Sequence, residues 1–245
     1  MQKNVPIGVN CGIIMSEEKT ESVAKENSSI SFQHEFWQTE DDLRNYDHPV
    51  VEFFAKQRIA FISKYIPINK INDILDVGSG SGFSSAYLSQ ENSITATDFS
   101  FTQIKKNPIK NRIVSTSEKL PFDDKSFSLV NEWELLHHLS DPMKTVEEMS
   151  RVAKDYLVLF EPNRQNPGLF WFAVFNKEER DVLRHHKKMM YKLVKNVDFD
   201  ILACETVGWV FPNRMPEFIL PLAKKLPFKF PIIGLSNVLI CKRRK

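Results

Sequence analysis

The sequence predicts an α/β fold built on a mostly parallel sheet, and three observations lead there. A short apolar run, Ile74, Leu75 and Val77 with Asp76 inside it, meets glycines at alternate positions, Gly78, Gly80 and Gly82. A helix-compatible stretch carrying Phe83, Tyr87 and Leu88 follows, completing a strand–turn–helix unit. Beyond Asp98, strand-like and helix-like runs alternate at the spacing of right-handed crossover units. The chain closes on two more β-rich runs, DFDILACETVGWV and LSNVLICK.

Taken in order, the first helix is signalled by Asp47 or His48 as its cap and Pro49 at its first position. Val50, Phe54, Phe61 and Tyr65 recur behind them near helical spacing. After the glycine turn, SITATDFS reads as a second strand ending in Asp98. FSFTQIKKN reads as a short helix and NRIVSTS as a third strand; a fourth strand runs from Ser126 to about Asn131. Asp141-Pro142 starts a helix with Met143, Val146 and Met149 on one face. DYLVLFEPN is a fifth strand ended by Pro162. An insertion holding Phe170, Trp171, Phe172 and Phe175 comes next, then a helix with the stripe Met189, Met190, Leu193, Val194 and Val197. Between the last two strands, residues 211–234 hold five prolines, much apolar surface and Lys224, Lys225 and Lys229. That connection is too long for a hairpin turn and predicts a lid or docking segment.

Composition describes an ordinary globule, with 26% charged and 42% hydrophobic residues among 245. Residues 1–31 read as a disordered segment, within which Met15 is an alternative start, and VPIGVNCGII lacks the pattern of a signal peptide. Residues 32–245 read as a single domain with cap insertions at about 164–184 and 210–234; Phe36, Trp37, Tyr46 and His48 are candidates for a lid near the ligand. No apolar run reaches the ~18 residues of a membrane span. Cys11, Cys204 and Cys241 have no metal spacing and read as thiols of a reducing, cytoplasmic compartment. Charge is uneven: 17 Lys and Arg against 24 Asp and Glu through Asn163, then 16 against 7 from Arg164 onward. The back third is therefore basic.

Glycine spacing separates two ligand classes. A dinucleotide fingerprint would need glycine at position 83, where Phe83 stands. The pattern D-x-G-x-G-x-G, from Asp76 to Gly82, instead resembles motif I of the class I S-adenosylmethionine-dependent methyltransferases. The run EKLPFDDKSFSLVNEWELLHHLSDPMKTVEEMSRVAKDYLVLFEPN resembles their UbiE/Coq5-like, type 11 branch, and the likeness covers roughly Asn72 to Asn163. It implies a Rossmann-like sheet of seven strands, the last antiparallel, with helices on both faces and a helical or irregular cap. It also implies S-adenosylmethionine as cofactor and no metal. The implied cofactor contacts are Asp76, Gly78, Ser79, Gly80 and Gly82 in the turn, Asp98 on ribose and Phe99 on adenine. Ser117 and Glu118, beside Thr116, border the adenine edge, and Asn131 meets the methionine part. Where the family often has Asp-Ala, this chain has Thr116-Ser117, so a hydroxyl or backbone group replaces the usual carboxylate.

A sulfonium already activates its methyl group, so a general base is needed only for a hydroxyl or a protonated amine acceptor. His137 and His138, just past the fourth strand, are the candidate bases, with packing as their other reading; Glu134 ranks below them. NEWE stands where amino-adenine methyltransferases carry (N/D)PP(Y/F), and no Pro-Cys pair offers a cytosine-attacking thiol. Nucleic acid therefore stands behind a small-molecule or lipid-like acceptor, with peripheral membrane contact through 211–234. Two rivals are a nucleic-acid or protein methyltransferase using the basic back third, and a cofactor-binding module without turnover. Oligomeric state leaves no mark on the sequence.

Overall fold

The computed structural model describes residues 44–89, 92–176, 180, 182–183 and 186–244. The expectations for 1–31, Phe36 and Trp37 lie outside the described residues.

Helix α1 spans Pro49–Ile62 and begins as the sequence predicts, with the His48 ring accepting the Val50 amide at 3.1 Å and proline at the first position. It buries Val50, Val51, Phe54, Phe61 and Ile62, and also Arg58, on the apolar side. Seven strands follow: β1 Asp73–Val77, β2 Ser93–Asp98, β3 Arg112–Val114, β4 Phe127–Trp133, β5 Ala153–Pro162, β6 Phe199–Val207 and β7 Ser236–Arg243. They form one sheet in the order β3-β2-β1-β4-β5-β7-β6. The β1–β2, β1–β4, β2–β3 and β4–β5 pairs are parallel, and β7 runs antiparallel to β5 and β6. Between the strands lie α2 Ser85–Leu88, α3 Phe101–Lys106, α4 Pro142–Val152, α5 Pro167–Phe175, α6 Lys187–Lys195 and α7 Leu220–Ala223.

Period-two alternation sends neighbouring side chains to opposite faces. Ile74, Leu129, Val158 and Ile240 pack with Phe61 and Ile62 of α1 on one face. Leu75, Val130, Leu157 and Leu239 pack with Val146 and Met149 of α4 and with Met190 and Val194 of α6 on the other. Each such fully buried side chain contributes about 1.5–3 kcal/mol. Because the parallel strands all run one way, the loops after β1, β2, β4 and β5 gather at one edge, where open α/β sheets hold their ligands.

Three elements differ from expectation. Strand β4 runs two residues past Asn131, to Trp133. Helix α2 is a single turn, because the hydroxyls of Ser84 and Ser85 turn back to Asp76. In the connection after β6, Val210, Met215, Leu220 and Ala223 pack against Val50 and Phe54, so this face is core rather than lid. Arg44 ties the same connection down by donating to the carbonyls of Pro212 and Met215 at 2.9 and 2.8 Å. Among the described residues no helix is long and apolar enough to cross a membrane.

Candidate functional site

The glycine turn leaves the end of β1 over a buried carboxylate. Asp76 is 0% exposed; it accepts Ser84 Oγ at 2.5 Å, the Ser85 hydroxyl, and Asn131 Nδ2 at 2.8 Å. Burial raises its carboxyl above the ordinary value, against the pull of those three donors. Asn131 is equally buried and sits opposite Asp76 in the β1–β4 register. Both were expected among the cofactor contacts; the structure joins them to each other beneath the turn. Asn107 braces the turn from the side, its amide reaching Ser79 Oγ, the Gly80 carbonyl and Ser85 Oγ at 3.2, 3.2 and 3.3 Å.

The three glycines, alike in sequence, have different reasons to be glycine. All have positive φ, but a Cβ at Gly78 would lie 2.8 Å from Leu135 Cδ1, and one at Gly82 would lie 2.6 Å from Pro108 Cδ. Packing of the protein itself excludes side chains there. At Gly80 a Cβ would meet nothing within 4 Å, so the free space lies over this residue.

Asp98 ends β2 facing that space. It is half-buried, accepts the Gly80 amide at 2.8 Å and the Ser100 amide at 2.7 Å, and thus fixes the turn while keeping further lone pairs. Burial pushes it up to about 6, against the two amides. Phe99 beside it is half-buried. Of the residues after β3, Ser117 shares a hydrogen bond of 3.0 Å with Thr145 of α4, and the Glu118 amide donates to Thr116 Oγ1 at 3.2 Å. The Ser117 hydroxyl is therefore directed at α4.

A denser charged group closes the ends of β4 and β5. Glu132 and Glu161 are both 0% exposed, and burial, then the charge of Glu161, raises Glu132 well above the usual carboxylate range. Glu161 gathers the loop past β4: it accepts the Leu136 and His137 amides at 2.7 and 3.1 Å and lies 3.0 Å from His137 Nδ1. His137 is buried; His138 is half-buried, its ring tilted by 43° with its centroid 3.8 Å away. Glu134, with φ of +62°, pairs with buried Arg58, whose guanidinium also donates to Ser236 Oγ at 2.6 Å. Phe54, Trp133 and Phe160 surround that guanidinium at 4.0, 5.0 and 4.7 Å. Burial lowers the pKa of Arg58, against its acidic neighbours. Neither Arg58 nor Glu161 was singled out from sequence. The available signal was an arginine on the apolar face of α1, between Phe54 and Phe61.

Residues 75–158 match the family described as a methyltransferase domain. The solved structures it resembles include S-adenosylmethionine-dependent enzymes. A possible histamine N-methyltransferase from Thermotoga maritima aligns with TM-score 0.61 at 18% identity, over 80% of this chain and 91% of that one. Magnesium protoporphyrin IX methyltransferase from Synechocystis, with bound S-adenosylmethionine, aligns with TM-score 0.57 at 10% identity, over 89% and 98%. A methyltransferase from Aquifex aeolicus gives 0.52 at 16%, over 79% and 97%. No curated protein sequence matches. The residues present fit S-adenosylmethionine as a donor: open space over Gly80 lies against Asp98, which retains acceptor capacity.

Proposed function

We propose that the chain methylates a small-molecule or lipid-like acceptor, as a member of the UbiE/Coq5-like branch. Bound S-adenosylmethionine supplies an activated methyl group, and the chain's task is to hold a nucleophile in line with it at roughly 3 Å. In this reading Asp98 accepts the ribose hydroxyls, Phe99 packs on adenine, and Thr116 to Glu118 border its edge. Ser79 and Gly80 carry the backbone that faces the donor, while Gly78, Gly82, Asp76 and Asn131 shape it from beneath. His138, the more exposed of the pair, takes the proton of a hydroxyl or amine acceptor, and His137 with Glu161 fixes the loop it stands on.

The observation that carries the acceptor class is the aromatic wall at the end of β4. Trp133 and Phe54 meet edge to face at 6.2 Å, and Phe53 and Trp209 join the same apolar cluster. This cluster is core packing shared with α1, and its half-buried members Phe53, Trp133 and Trp209 are the part that an apolar or aromatic acceptor would meet. Peripheral membrane contact through 211–234 belongs to the same proposal, because Phe218 and Leu222 stay 83% and 61% exposed beside Lys224 and Lys225.

Labelled S-adenosylmethionine, incubated with the protein and the organic-soluble, aqueous and macromolecular fractions of a cell extract, tests the proposal. Label is expected in an organic-soluble or small-molecule product, and label confined to RNA or protein would overturn it. His138→Ala is expected to slow turnover by about 10²–10⁴ with cofactor affinity unchanged by calorimetry. Replacing His137 should instead lower the melting temperature.

A further inference from the structure

Helix α5 has the sequence PGLFWFAVF, without a charged residue, and Ala173 is its buried member. Phe170, Trp171 and Phe175 face outward, 43%, 58% and 77% exposed. Their rings follow one another, 5.6 Å from Phe170 to Trp171 and 6.0 Å from Trp171 to Phe175. Beside the start of α5 stands the tip of the connection after β6, where Ile232 and Ile233 are 66% and 49% exposed. Ile232 has φ of +73°, an outlier for a β-branched residue. Two asparagines join tip and helix. Asn166, which caps α5, donates to the Ile233 carbonyl at 2.6 Å, and Asn163 donates to those of Ile232 and Gly234 at 2.7 and 2.8 Å.

We infer that α5 and the tip 231–233 form one rigid platform that seats the protein on a bilayer with anionic headgroups; this rests on the peripheral-contact part of the proposed function. Scattered exposed apolar residues need no explanation, but a contiguous ordered set marks a contact surface. The hydrogen bonds at the tip point to lipid. A loop facing water has its carbonyls solvated, whereas one entering an apolar medium must satisfy them internally. Here the exposed Ile233 carbonyl is taken by the Asn166 amide, while those of Ile232 and buried Gly234 are anchored to the core by the fully buried Asn163, and Pro231 brings no N–H. The Ile233 and Gly234 amides donate back to Pro231 and Phe230 at 2.9 and 3.0 Å. Helix α5 likewise offers no side-chain hydrogen-bonding group except the Trp171 indole, a residue type favoured at the membrane boundary.

Charge selects the headgroup. Arg164 and Arg180, both exposed, bracket α5, and exposed Lys224 and Lys225 precede the tip. From Arg164 onward basic residues outnumber acidic ones 16 to 7. Lysines and arginines near an anionic surface add to apolar insertion and make it salt-sensitive.

Flotation of the full chain with phosphatidylcholine vesicles, with and without phosphatidylglycerol, tests the inference. The wild type is expected to float with the anionic vesicles at low salt. Trp171→Ser combined with Phe175→Ser should weaken partitioning by at least about tenfold, and Lys224→Glu with Lys225→Glu should remove the preference for anionic lipid. Calorimetry with S-adenosylmethionine verifies that each variant is folded. Absence of flotation at any salt, or wild-type flotation of the Trp171/Phe175 variant, overturns the platform. So does a wild-type dimer in sedimentation that this variant abolishes, since a second copy would then be the occupant. The vesicles hold no methyl acceptor, so this outcome is independent of whether the labelling experiment succeeds.

Discussion

The carboxyl ends of β1 and β2 differ from those of β4 and β5 in how their polar groups are satisfied. Under the glycine turn, both Asp76 oxygens, the Asn107 amide and both Asp98 oxygens have protein partners. At the other end, Arg58 Nη1 and Trp133 Nε1 are buried with no hydrogen-bond partner among the described residues, and Glu132 lies buried against the like charge of Glu161. An unsatisfied buried polar group costs about 1–3 kcal/mol. On the proposed function, a donor that never varies would permit the first arrangement, in which binding would require little reorganisation. The second arrangement concentrates polar groups and aromatic rings where an acceptor would differ from one enzyme to another. The turn itself is finished, while the ends of β4 and β5, with Asn131 Oδ1 also among their unpaired atoms within the described residues, are held under electrostatic tension.

The sharpest way to break the comparison is to alter two neighbouring glycines. Gly82→Ala places a Cβ 2.6 Å from Pro108 Cδ at φ of +100° and should destabilise the fold by about 3 kcal/mol. Gly80→Ala fills only open space, so it should cost about 1 kcal/mol in stability. Its effect should fall on the demethylated product of S-adenosylmethionine, whose affinity should drop by about a hundredfold. Thermal melts and calorimetry read the two losses separately. Normal binding by Gly80→Ala would show that the turn is not the donor's cradle.

At the tense end, Glu134 is the partner that makes a buried arginine tolerable. Glu134→Ala should cost about 3 kcal/mol, because Arg58 is left charged and buried. Glu134→Gly removes the same carboxylate but relieves φ of +62°, and should lose roughly 1 kcal/mol less. Equal losses in denaturant titrations would mean the backbone at Glu134 stores no strain.

Asp98 gives the comparison a pH dependence. Burial pushes its folded value up to about 6, above the ordinary carboxylate range. Its contribution to the stability of the free protein is thus present below the ordinary carboxylate range and fades as pH rises through about 6. Donor affinity slopes the other way, because ribose hydroxyls donate to the charged form. Affinity should be about tenfold weaker near pH 5 than near pH 7. Asp98→Asn should flatten that dependence and weaken binding by about ten- to a hundredfold. A wild-type affinity that does not change over this range would remove Asp98 from the ribose site.

What the sequence made legible was local. Strands, caps and prolines announce themselves within a few residues, so β1, β2, α1 and α4 stand where their patterns place them. The end of strand β4 is hidden from a sequence pattern because Asn131 and Glu132 are polar; their burial depends on Asp76 and Glu161, which are distant in sequence. Arg58 was passed over for the same reason, since its partners Glu134 and Ser236 are 76 and 178 residues away. The apolar residues of 211–234 could not be sorted by pattern either. Leu220 is buried and Phe218 exposed only because α1 covers one side of that segment.

Ser117 tests the finished end at its smallest scale. Its place after β3 implies contact with the adenine edge, yet its hydroxyl lies 3.0 Å from Thr145 Oγ1, and Thr145 is fully buried on α4. If that bond is what the hydroxyl is for, Ser117→Ala should cost about 1 kcal/mol of stability and leave donor affinity within about twofold. The backbone at 116–118 would then border adenine without the side chain. If the hydroxyl turns to adenine when the donor binds, the order reverses: stability is nearly unchanged and affinity falls several-fold. Thr145→Ala separates the cases further. It removes the same hydrogen bond from the α4 side without touching the adenine edge, so matching stability losses and unchanged affinities in both variants would assign the Ser117 hydroxyl to the fold.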